Sequence, residues 1–200
     1  MKPGYRPAFG LLLVAYTSLS ASSPHPAVSP NQDFSNSTLQ LHAPASTGWY
    51  GVAQTPTLVE FGKSGTSANE TFVAAVILMR LPPFENTDAF AEYVREGVIK
   101  DSPSDRFDTT ESIVQYSPER GYPCVRYHGI SNDRKPRTSA FFGKTMRIEV
   151  VALYCEHPTK PGLGFAVTFS HRGGNADENI GKDAADFIDS VQVTPSGKAP

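Results

Sequence analysis

The apolar positions of this chain change their period along its length, and each change marks an element. After an opening Gly48-Trp49-Tyr50, the run Leu58-Val59-Glu60-Phe61 is a short strand candidate. Phe72 to Leu81 is apolar on both parities, as a central strand covered on both faces requires. Its Val and Ile content and the abrupt Pro82-Pro83 stop favour a strand over a helix of the same length. Thr87 is placed to cap a helix, with Asp88 favourable at its positive end. Phe90, Tyr93, Val94, Gly97 and Val98 then recur at three- and four-residue spacing and form one buried helical stripe. Phe107 to Tyr116 alternates moderately and reads as a further strand.

Three β segments follow. Cys124 to Ile130 is the first, Met146 to Glu156 the second and Gly164 to His171 the third. In the second, Ile148, Val150, Ala152 and Tyr154 share one face, while Val151, Leu153 and Cys155 share the other. The turn residues Ser131-Asn132-Asp133 and Pro158 through Gly162 predict antiparallel hairpins between them. A last helix begins near Asp177, where Asn175 and Glu178 have the spacing of a loose capping box, and it presents Ile180, Ala184, Phe187, Ile188 and Val191. The order is β-β-β-α-β-β-β-β-α. This predicts an α+β domain over residues 47–194, an antiparallel sheet with two helices able to cover its faces.

The flanks differ in composition. Met1 to Ser23 joins Lys2 and Arg6 to the apolar run Phe9 to Ala15 and a small-residue exit, which is the layout of a secretory signal peptide. The apolar run is about half the roughly 20 residues a permanent membrane helix needs. The exit Leu19-Ser20-Ala21-Ser22 resembles the bacterial lipoprotein box, but Ser22 stands where that box needs a cysteine, so a periplasmic or secreted, unacylated protein is expected. Residues 24–46, rich in Ser, Pro, Ala, Asn and Thr, read as a flexible tether, and residues 195–200 as a frayed tail.

With 39% hydrophobic and 19% charged residues the chain is too apolar for intrinsic disorder and too polar for a multispan membrane protein. A formal charge of −2 leaves no electrostatic footprint for nucleic acid, and removal of Lys2 and Arg6 with the leader makes the remainder more acidic still. In an oxidising compartment the lone pair Cys124 and Cys155 is most simply a disulfide. Unpaired buried thiols are one alternative. A catalytic thiol beside His157 is another, although strand neighbours face opposite sides.

Catalytic signatures are missing: there is no nucleophile elbow, no phosphate-cradling glycine loop and no His-Glu-x-x-His pair. No cofactor is implied. His128, His157 and His171 lie at or near the ends of the three late strands, and two of them converging with Glu156 would suit zinc or copper. The most unusual stretch is Arg134 to Lys144, in which the cations Arg134, Lys135, Arg137 and Lys144 accompany the adjacent Phe141 and Phe142. Its plain reading is a long hairpin that tucks one Phe into the core. Its functional reading is a protruding contact loop for an acidic protein, a polyanion or a membrane surface.

The order of elements resembles the PsbP-like fold, an α/β/α sandwich found in photosystem accessory proteins and in small bacterial envelope proteins of the DcrB type. The resemblance runs from Ser46 to Thr194. It rests on Gly48-Trp49, the central apolar strand leading to the helix at Thr87, the three late strands, and a last helix ending Phe187-Ile188-Asp189-Ser190-Val191. It implies a non-catalytic accessory protein that binds a protein or envelope component. The alternative expectation is a small-molecule or metal-binding protein that uses the strand-end histidines.

Overall fold

The computed structural model describes residues 25–67, 69–136 and 145–194. The expected signal peptide and frayed tail lie outside the described residues. A seven-stranded sheet is built from β3 (Tyr50–Gln54), β4 (Leu58–Ser64), β5 (Thr71–Arg80), β6 (Phe107–Ser117), β7 (Cys124–Asp133), β8 (Met146–Glu156) and β9 (Leu163–Gly173). Its order is β3-β4-β5-β9-β8-β7-β6, and every pairing is antiparallel. Helix α1 (Thr87–Asp101) carries the chain from the end of β5 to the far edge, and the meander β6 to β9 returns to close on β5.

The expected α+β class and element order hold, with small shifts at the helix ends. Asn86, not Thr87, caps α1: its side chain accepts a hydrogen bond from the Ala89 amide at 2.9 Å. Asn is as good a cap as Thr, and here its extended backbone places the oxygen within reach. Helix α2 (Ile180–Ser190) starts later than expected because Asp177 turns its carboxylate onto the Asn179 amide, which makes a turn in front of the helix.

The larger departure is at the N-terminal side. Residues 25–46 are no tether: β1 (Asp33–Ser35) and β2 (Leu39–His42) pair with each other, and β2 also pairs with β10 (Gln192–Val193) to make a second, three-stranded sheet. Within β2 the two apolar residues fall on one parity. Leu39 and Leu41 both point into the core and are at most 2% exposed. Alternation at only two positions is enough, because the surface they bury belongs to the main sheet and not to the segment itself.

Each face of the main sheet is covered over part of its width. One face carries Phe61, Ala74, Val76, Leu153, Val167 and Phe169, and α2 packs there through Ala184, Phe187 and Ile188 with the small sheet beside it. The other face carries Val125, Tyr127, Ala152, Tyr154 and Ala166 under the α1 stripe of Phe90, Val94 and Val98. Arg120 fastens the end of α2 by donating to the Ile188 and Val191 carbonyls, where a cation also suits the negative helix end. At the opposite end of the sheet Asp133, with no exposed side-chain surface, accepts a fork from Arg106 at 3.1 and 2.8 Å and a bond from Arg172 at 3.0 Å. Burial alone would raise this carboxyl, but the Arg106 fork, the Lys135 amide and Arg172 outweigh it and hold it below the usual carboxylate range.

Cys124 and Cys155 stand directly opposite each other on β7 and β8 and are joined as a disulfide, with their Cα atoms 4.1 Å apart. The Glu156 amide donates to the Pro123 carbonyl, so the next pair along the ladder is a non-hydrogen-bonded one, where strands approach most closely.

Three measurements test this architecture. Leu41→Ala should destabilise the protein by about 2 to 5 kcal/mol in denaturant unfolding, whereas a residue in a tether would cost nothing. Reduction of the bridge, which spans 31 residues, should lower stability by about 3 to 4 kcal/mol on the loop-entropy model. The depressed Asp133 carboxyl contributes stability that is present above about pH 4 and lost as pH falls through its lowered value. Asp133→Asn should therefore be less stable at neutral pH and lose less stability on acidification than the wild type.

Candidate functional site

The residues singled out for chemistry are placed far apart. His157 follows β8 at the disulfide end of the sheet, buried, and its Nδ1 accepts a bond from the Thr159 amide at 3.3 Å. Burial and the neighbouring Lys160 lower its pKa. His171 lies near the other end of β9, 1% exposed, with its ring against Phe72 and its Nε2 3.0 Å from Glu70 Oε1. His128 is in the middle of β7, across from Val151. Convergence of the histidines around Glu156 is therefore not seen: antiparallel pairing sends the His157 end of β8 away from the His171 end of β9.

What does assemble is a polar row crossing β6, β7 and β8 on the α2 side. Glu111 Oε1 lies 2.7 Å from His128 Nδ1, and Glu149 Oε1 lies 2.9 Å from His128 Nε2. Arg147 donates to the second oxygen of Glu149 at 2.8 Å. Burial pushes the Glu149 carboxyl up, but His128 and Arg147 outweigh that and lower its pKa. Both ring nitrogens are committed to carboxylates, so the imidazole ties three strands together. Among the described residues no group of three or more His, Cys, Asp and Glu could hold a metal ion, and the metal-binding expectation finds no ligand set there.

The loop expected as a contact surface joins β7 to β8. Arg134 and Lys135 are exposed at its base, and each is paired with the acidic start of β6: Arg134 to Asp108 at 2.9 Å and Lys135 to Asp105 at 3.2 Å. Such exposed pairs contribute little stability, but they set where the loop leaves the sheet. Arg137, Phe141, Phe142 and Lys144 lie outside the described residues.

Further along β6, away from this base, the margin of the sheet is accessible. β6 is the last strand of the sheet, and α2 packs on β8, β9 and β2, so the α2-side face of β6 and β7 is uncovered by it. On β6, Ile113, 43% exposed, is on this face with the exposed Gln115, while Tyr116, 40% exposed, and the exposed Ser112 are on the opposite face. Large apolar groups set in an accessible strand are what a binding surface offers and a solvated edge does not need. The signal was present as the weak alternation of 107–117, which reflects a strand exposed on most of both faces, and in the absence of charge from Ser112 to Tyr116.

No family model and no curated protein matches the chain. Solved structures do. The cyanobacterial PsbP protein (CyanoP) of Synechocystis sp. PCC 6803 superposes with a TM-score of 0.52 at 16% identity, over 88% of this chain and 99% of its own. LpqN of Mycobacterium tuberculosis, involved in cell envelope biogenesis, gives 0.47 at 13% identity over 88% of each chain. The Saccharomyces cerevisiae Ran-binding protein Mog1p gives 0.45 at 10% identity, over 83% of this chain and 96% of its own. With the two hairpin systems, the two covering helices and this match over nearly the whole of CyanoP, the chain has the PsbP-like α/β/α sandwich fold.

Proposed function

We propose that the chain is an exported, non-catalytic accessory protein of the bacterial cell envelope that acts by binding another protein at the outer end of its sheet. The observation that carries this reading is the accessible β6 margin, on which Ile113 and Tyr116 are exposed, with the β7–β8 loop leaving from the opposite end of the same strand. Interaction surfaces are built from such aromatic, aliphatic and arginine groups on a rigid frame. Export is supported by the leader-like pattern of Met1 to Ser23 and by the Cys124–Cys155 bridge, since disulfides persist in oxidising compartments. No helix of the described residues is long and apolar enough to cross a membrane. A non-catalytic role is supported by the use of His128 and His171 as internal ties to carboxylates. In this reading Arg134, Lys135, Arg137, Phe141, Phe142 and Lys144 make the contact together with the β6 margin.

The tagged protein, cross-linked in a gentle envelope extract, should retain one protein in stoichiometric amount. The double variant Phe141→Ala, Phe142→Ala, with an unchanged unfolding midpoint, should lose it. An empty capture by the wild type, or equal capture by the variant, would remove the loop from the binding surface.

A further inference from the structure

The two edges of the main sheet are treated differently. At the β3 edge the chain covers its own strand: the Gly51 amide donates to the Pro26 carbonyl at 2.9 Å, and the Val28 amide to the Trp49 carbonyl at 3.0 Å. At the β6 edge no described residue does this. The ladder shows which main-chain groups are left over. Pro123 and Glu156 form a hydrogen-bonded pair, so the amide and carbonyl of Cys124 turn away from β8 and towards Ser117 of β6. Counting back along β6, Ser117, Gln115 and Ile113 face β7, and Tyr116, Val114 and Ser112 present their amides and carbonyls to the open side.

Natural sheets blunt such an edge with Lys, Pro, an inward charge or a bulge. Here the bulge lies between Thr109 and Glu111, before the free stretch, and Ser112-Ile113-Val114-Gln115-Tyr116 contains no charge and no proline. An unprotected edge of this kind calls for a strand to cover it. We propose that the strand is β6 of a second copy, paired antiparallel about a two-fold axis through Ile113 and perpendicular to the sheet, so that the two seven-stranded sheets become one.

The sequence is self-complementary in this register. Ile113 meets its own counterpart in a non-hydrogen-bonded pair, where side chains are closest. Ser112 lies opposite Val114, Thr110 opposite Tyr116, and Glu111 opposite Gln115, so no like charges oppose each other. The outward groups of Ser112 and Val114 are the ones that bond across the axis. Antiparallel pairing also brings the start of one β6 beside the end of the other. The charged groups at these ends are already paired within each copy, Arg134 with Asp108, Lys135 with Asp105 and Glu119 with Arg126, so the pairing sets no unbalanced charge against another. A foreign strand could satisfy the same amides, but the second copy brings a strand whose uncharged side chains match this register.

The test uses the purified chain alone and so does not depend on the partner binding proposed above. Sedimentation velocity should show a concentration-dependent dimer. Ile113→Lys places two ammonium groups on the axis and should weaken it by roughly tenfold or more, and Ile113→Glu should do the same. At a concentration low enough for the wild type to be monomeric, both variants should share its unfolding midpoint, because the side chain is exposed and the β6–β7 ladder is untouched. An equimolar mixture of the two variants should recover the dimer, as opposite charges now face each other. A wild type that stays monomeric at the highest concentration reached, an Ile113→Lys dimer as tight as the wild type, or a mixture that fails to recover would each overturn the proposal.

Discussion

The ladder between β5 and β9 is the seam on which the molecule depends. Ten residues of β5, from Thr71 to Arg80, pair in unbroken register with Arg172 to Leu163. This ladder joins two hairpin systems that are otherwise separate, β3 to β5 on one side and β6 to β9 on the other. Because it lies inside the sheet, both of its faces must be sealed from water, which is why β5 is apolar on both parities. The chain supplies the two seals from different places. The helix that follows β9 covers one side with the small sheet, and on the other the helix that follows β5 packs over β6 and β7 and reaches the seam at Ala166 and Met79.

The polar residues that drew attention in the sequence are mostly spent on this scaffold. His171 holds the loop before β5 through Glu70, His128 links three strands through Glu111 and Glu149, and Asp133 gathers two arginines from β9 and the start of β6. Each has at least one polar partner within hydrogen-bond distance, although His171 Nδ1 is buried without one, and such groups fix register and element ends. Among the described residues, the exposed Ile113 and Tyr116 at the margin of the sheet take no part in these ties.

How much of this was legible follows from the length of each signal. The long periodic segments, Phe72 to Leu81, Met146 to Glu156 and the stripe from Phe90 to Val98, declared their type because many positions repeat one period. The Cys124–Cys155 pairing could be read because both residues end strands of one hairpin. β1, β2 and β10 could not be read in the same way: with two to four residues apiece they carry one or two apolar side chains, and the burial that makes them strands comes from a surface distant in sequence. The histidine positions needed strand direction as well as strand identity. The open margin at β6 needed the sheet order, which a meander returning to β5 sets only once α1 is known to cross to the far edge.

The small sheet has a consequence for synthesis. Leu39 and Gln40 of β2 pair with Val193 and Gln192 of β10, and the Thr194 amide closes on the Thr38 carbonyl at 2.8 Å. β2 therefore waits for residues far downstream in the chain. A nascent chain can assemble the seven-stranded sheet from residues 50–173 while Leu39 still lacks its neighbour, and the two ends of the domain latch together only after residue 193 has left the ribosome. A chain cut before β10 lacks the strand that pairs with Leu39 and Gln40, and this corner of the core loses that neighbour.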